Sequence, residues 1–217
     1  MKKELEIDFS YNKIFEILDG SDDTLKAFAL LELNEVQTEA DFELLIKHLT
    51  NCDGRLRELV SSKLVELKPQ KRLEAYIPTL LDALCDVNPN VARNIVELLS
   101  ICNINIAEPL LERAEDILMT IEKNSKPKKW RTQKNHVLTK IIFHLYWCLE
   151  ALALFANVLP KERLTKILNT TSDFVDYTIR EKTAKILVKM PEAPEDLLSK
   201  MQNDDNFYVK LHFCGSI

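Results

Sequence analysis

At five places in this chain an Asp or Asn stands three residues before an apolar position, with apolar or small residues four and eight positions after it. The sets are Asp22, Leu25, Ala29, Leu33; Asp53, Leu56, Val60, Leu64; Asn88, Val91, Ile95, Leu99; Asp176, Ile179, Thr183, Leu187; and Asn206, Val209, Phe213, Ile217. Spacings of four and eight put these residues on one helix face. An Asx side chain ahead of the first turn can accept from backbone N–H groups that the helix itself leaves without partners. In "DVNPNVARNIVELL", residues 86–99, Asn88 takes the capping position and Pro89 the first helical one. Four copies carry a base directly after the first apolar residue (Lys26, Arg57, Arg180, Lys210), and the third has Ala92 there with Arg93 beside it.

The first apolar positions advance by 31, 35, 88 and 30 residues, so the long step has room for one more unit plus an insertion. A second apolar-periodic segment precedes each capped helix, at 9–18, 39–49, 74–85, 107–121, 160–169 and 194–201. The unit is therefore a helix pair, and a recurrence of this length predicts an all-α fold, an α-α superhelix or solenoid of about six helical pairs. No segment shows sustained period-two alternation of β-branched residues.

Composition narrows the function classes. A 217-residue chain that is 46% hydrophobic and 29% charged has enough apolar material for one well-buried domain or an elongated array. Its three glycines (Gly20, Gly54, Gly215) are too few for the Gly-rich turns of nucleotide-binding folds. The net charge of −5 argues against a surface given over to nucleic acid, while leaving room for a local basic patch. The start, "MKKELEIDFSYN", has no apolar stretch of a signal peptide, and five widely spaced cysteines form no CxxC pair, so the expected location is cytoplasmic with reduced thiols.

The stretch "YIPTLLDALCDVNPNVARNIVELL" resembles the HEAT repeat, with Pro78 in the first helix, Asp86 before the turn, then Pro89 and Val91. "DYTIREKTAKIL" and "DGRLRELVSSKL" are the next best copies. The resemblance extends at low detail over nearly the whole chain and implies a single HEAT-like repeat domain over 1–217. It also implies an inter-repeat ladder of turn Asp and following Arg, carried over to Asp53 with Arg57 and Asp176 with Arg180, and interrupted where Ala92 replaces the base. The function it implies is a non-enzymatic scaffold or adaptor that binds another protein in a concave groove lined by the second helices. Groove candidates on the outer side of those helices are Glu58, Arg93, Glu97, Glu181 and Lys185, a mixed-sign set suited to a charged polar partner.

Residues 122–136, "EKNSKPKKWRTQKNH", break the pattern and predict an inserted basic loop. Lys123, Lys126, Lys128, Lys129, Arg131 and Lys134 surround Trp130, and the loop reads either as solvated or as a contact for phosphate backbones or an acidic protein surface. The partner-binding candidates here are Lys128, Lys129, Trp130 and Arg131. The following segment, 137–159, is the most apolar, but Lys140, His144 and Glu150 argue against a membrane span. Phe143, Tyr146, Trp147 and Leu154 fall there at helical spacing, as expected of a packed second helix.

His48 with Cys52, and His144 with Cys148, each lie one turn apart, but two ligands do not make a metal site. No catalytic arrangement, metal site or cofactor is expected. Two further classes remain as alternatives. One is a nucleic-acid-binding protein similar to the HEAT-like alkylpurine DNA glycosylases, although neither Trp130 nor Trp147 has an Asp one turn later, Lys134 and Ala151 standing there instead. The other is a HEAT-like lyase or chaperone subunit. The apolar residues Val209, Leu211, Phe213 and Ile217 have no polar capping helix after them, which leaves three expectations open: inward packing, a domain of a longer chain, or a self-association edge.

Overall fold

The computed structural model describes residues 8–68, 73–102, 106–124 and 136–214, and these contain helices, turns and no strand. The all-α expectation holds over them. Of the basic loop expected over 122–136, residues 122–124 instead close the helix Ala107–Asn124 and His136 opens the next; residues 125–135, including Lys126, Lys128, Lys129, Trp130, Arg131 and Lys134, lie outside the described residues, as does Ile217. Contacts within the chain gather into two compact units, Met1–Ile104 and Asn105–Ile217.

The first unit holds α1 (Tyr11–Asp19), α2 (Asp23–Glu32), α3 (Glu39–Lys47), α4 (Gly54–Leu67), α5 (Ile77–Leu84) and α6 (Pro89–Cys102), with short 3₁₀ turns at His48–Thr50 and Leu73–Tyr76. α2 packs on α4 and α4 on α6, while α1 packs on α2 and α3, and α5 on α6. The second unit holds α7 (Ala107–Asn124), α8 (His136–Leu152), α9 (Lys161–Ser172), α10 (Tyr177–Leu187), α11 (Glu195–Gln202) and α12 (Phe207–Leu211). There α8 packs on α7 and α10, α10 on α9, α11 and α12, and α9 on α7 and α11.

All five Asx residues cap the helices they precede. Asp22 accepts from the N–H groups of Thr24 and Leu25, Asp53 from Arg55, Asn88 from Asn90, Asp176 from Thr178 and Asn206 from Tyr208. Each cap stabilises its helix by about 1 kcal/mol. The apolar positions behind the caps form the core: Ala29, Leu33, Leu56, Val60, Leu64, Val91, Ile95, Leu99, Ile179, Leu187 and Val209 are buried. Leu25 and Phe213 are only half-buried, and Phe213 lies past the end of α12 at Leu211. Thr183 keeps its place in the buried row by donating to Thr171 Oγ1 at 2.7 Å, next to the Ile179 carbonyl at 3.0 Å, so its hydroxyl is not stranded.

One further local feature departs from the sequence reading. α8 ends at Leu152, and a run of turns follows, with Leu154 N–H donating to Ala151 O at 2.9 Å and Phe155 to Leu152 O at 3.0 Å. Leu154 therefore does not share the helical face of Phe143, Tyr146 and Trp147. α4 ends on Lys68, whose φ of 49° is left-handed and lets its N–H close on Leu64 O at 3.0 Å. No helix of the described residues is long and apolar enough to cross a membrane.

Candidate functional site

Two of the bases that follow the caps, Arg57 and Arg180, build joints between helix pairs. Arg57 reaches forward to the next turn, where Nε and Nη2 donate to Asp86 Oδ2 and Oδ1 at 2.5 and 3.0 Å. Its Nη1 donates backward to the carbonyls of Asn51 and Cys52 at 2.7 and 3.2 Å. Arg180 repeats the arrangement in the second unit, to Asp204 at 2.7 and 3.0 Å and to the carbonyls of Phe174 and Val175 at 2.8 and 3.0 Å. The expected partners, Asp53 and Asp176, are instead engaged by the N–H groups they cap. The ladder acid is the Asp two residues before each cap, which also accepts from the cap's own N–H: Asn88 to Asp86 at 2.7 Å and Asn206 to Asp204 at 2.8 Å. The Arg180 guanidinium holds the Asp204 carboxyl below its usual range, outweighing the opposite push of burial.

On the outward side of α4 and α6, Glu58 receives two side-chain amides, Asn88 Nδ2 at 2.9 Å and Asn90 Nδ2 at 2.8 Å. Asn94 donates to Ser61 Oγ at 3.0 Å one turn further along. Arg93 is exposed and donates to Asn90 Oδ1 at 3.1 Å, and Glu97 is exposed. Glu58 and Arg93 thus meet through Asn90, with Glu58 already spent on holding α6 to α4.

The corresponding side of α8, α10 and α12 is charged. Lys182 is 8% exposed, its ammonium 3.0 Å from Glu150 Oε2 and 2.8 Å from Glu181 Oε2, and it lies 4.7 Å from the centre of the Tyr146 ring. Glu150 Oε1 takes Lys185 Nζ at 2.5 Å, and Glu181 Oε1 takes the His212 imidazole N–H at 2.6 Å. Burial pushes the Glu150 carboxyl up, but the ammonium groups of Lys185 and Lys182 more than offset it and leave it below its ordinary value. Burial likewise pulls the Lys182 ammonium down, and Glu181 and Glu150 reverse that, so it stays charged. Of the sequence candidates, Glu181 and Lys185 belong to this network. Glu150, Lys182, Tyr146 and His212 were not among them, because a pairing across α8, α10 and α12 leaves no local pattern in the chain.

The remaining candidates are structural or placed apart. Buried His48 donates through Nε2 to the Leu18 carbonyl at 2.9 Å, so that nitrogen is committed to an interhelical bond, and Cys52 is exposed. Trp147 is buried with Phe143 and Tyr146 edge-on to it at 6.1 and 5.1 Å. Among the described residues no group of three or more His, Cys, Asp or Glu is placed to hold a metal ion.

No family model matches the chain, and no curated protein matches it. Among solved structures, the crystal structure of an engineered protein from a structural genomics consortium is 16% identical, with 92% of each chain covered and a TM-score of 0.49.

Proposed function

We propose that this chain is a HEAT-like α-solenoid of about six helical pairs, a non-enzymatic scaffold that binds another protein through a concave face lined by its second helices. The observation that carries the reading is the recurrence of one joint. Arg57 and Arg180 each tie their own turn to the turn of the following pair with the same donors, the same class of carboxylate and the same two carbonyl positions. A joint repeated in both units is what a stack of like pairs requires. The outward sides of α6 and α10 carry mixed charge, with Arg93 and Glu97 free enough to exchange solvent for a polar partner and Lys185 half-exposed beside Glu150.

The test is affinity purification of the native chain, at low and high salt, beside the double variant Arg93→Glu, Glu97→Lys. A saturable protein partner lost in the variant, at unchanged melting temperature, supports the scaffold. Nucleic acid released by salt, with no protein partner, would sink it in favour of a polyanion-binding reading through the basic loop.

A further inference from the structure

We infer that the first turns of α10 and α12 form a docking surface for an extended peptide segment bearing arginine side chains, built from Tyr177, Phe207 and Tyr208 within a rim of aspartates. The three rings are 41%, 65% and 58% exposed, yet they touch one another. Tyr177 and Tyr208 stack at 6.1 Å between centroids and 23° between planes, and Phe207 meets Tyr208 edge-on at 5.7 Å. Val175, two residues before Tyr177, is also exposed. Rings left in water contribute little to the core, and a contiguous exposed apolar cluster of this kind marks an interaction surface.

The repeat does not demand the patch. The equivalent first-turn residues are Asp23 and Thr24 in α2, Gly54 and Arg55 in α4, and Pro89 and Asn90 in α6, none of them aromatic. Charge selects the occupant. Asp173, Asp176 and Asp205 each lie within four residues of a ring along the chain, while the Asp204 side chain is buried and held by Arg180. Two of the carboxylates stand far into solvent, the Asp205 side chain 94% exposed and that of Asp173 77% exposed, even though Arg180 reaches the first at 3.1 Å and Lys200 the second at 2.7 Å. A guanidinium can lie flat on a tyrosine ring while donating in its own plane to a carboxylate. An ammonium satisfies one of these contacts less well, and an acidic segment would be repelled. This surface lies at helix ends and does not depend on the proposed second-helix face.

The experiment titrates the ¹⁵N-labelled full chain with the capped peptide Gly-Arg-Leu-Arg-Gly, and with versions carrying Lys or Glu in place of Arg. Saturable shifts confined to residues 173–177 and 204–208 are expected, with the Lys version weaker and the Glu version silent. Phe207→Ser with Tyr208→Ser should weaken binding at least about tenfold at unchanged melting temperature. Asp205→Asn should weaken it about threefold, by a margin that shrinks with salt. Should the double variant fail to fold, Tyr177→Ser alone and Asp205→Asn carry the same test. Any of four results overturns the proposal: no saturable shift, equal affinity in the variants, competition by a neutral oligosaccharide at the same residues, or a wild-type dimer that Tyr208→Ser turns into a monomer.

Discussion

The outward sides of the second helices are tied together by neutral amides in the first unit and by charges in the second. Between α4 and α6, one carboxylate, Glu58, is shared by Asn88 and Asn90, and Asn94 meets Ser61. Between α8, α10 and α12, Lys185, Glu150, Lys182 and Glu181 alternate in sign, His212 donates to Glu181 at the end of the run, and Lys182 lies against Tyr146. The same helix-pair template therefore tolerates two kinds of glue. They differ in what breaks them: losing one amide leaves neighbours that water can satisfy, whereas losing one buried charge leaves an uncompensated one.

The sharpest way to break the contrast is Lys182→Met, which keeps the stem but removes the ammonium shared by Glu150 and Glu181, leaving Glu150 to Lys185 and Glu181 to His212. We expect a loss of about 3 kcal/mol, read as a lower denaturant midpoint. A loss below that of the amide variant described next would show the network to be decorative. Glu58→Gln, its counterpart in the first unit, should cost only about 1 kcal/mol, because the amide oxygen still accepts one Asn. Between these lie the joints: Arg57→Ala and Arg180→Ala should each cost about 2 kcal/mol, and similarly, since each exposes a largely buried Asp to loss of its only guanidinium. Unequal midpoints would show that the two joints are alike in geometry and not in energy.

Acid separates the units by pH. Burial holds the His48 imidazole below its ordinary 6.5, so the stability of its neutral form is complete above that value and is lost as pH falls towards the folded pKa. Glu150 is held below 4.5 and Asp204 below 3.8, so their contributions persist to more acidic solution and fade only as pH falls through their folded values. Residue-resolved NMR across a pH series should show the α1–α3 region loosening first. His48→Gln, which still offers an N–H to Leu18 O, should remove that early step. The smallest effect is a gain: Lys68→Gly should stabilise by about 0.5 kcal/mol, because glycine adopts the left-handed turn without a Cβ clash. No change in melting temperature would mean that the strain is offset elsewhere.

What the sequence made legible was local. Asx caps and four-residue apolar spacing act within one or two turns, so Asp22, Asp53, Asn88, Asp176 and Asn206 could be placed without knowing the fold, as could the fully buried rows behind three of them. The ladder was legible in kind and not in partner. Asp53 and Arg57 are four residues apart on a helix, but the capping N–H had the stronger claim on the carboxylate, and the guanidinium turned to Asp86, 29 residues on. The Asp two residues before the Asn88 and Asn206 caps was the available clue. Nothing local marked Glu150 as a partner of Lys182 and Lys185, which lie on another helix, nor the end of α8 before Leu154, since hydrophobicity continues past it in turns.

The two joints span different lengths of chain, 29 residues from Arg57 to Asp86 and 24 from Arg180 to Asp204, and close with nearly the same geometry. Everything that defines the joint sits in two turns, so the hairpin between them is a spacer whose size is unconstrained by it. Insertions and deletions in the turns that follow α4 and α10 can then change the length of a unit without removing any donor or acceptor of the joint. A sequence comparison that insists on a fixed period will treat these two units as different, whereas one that searches for an Arg four residues after an Asx and a later Asx-x-Asx pair finds both.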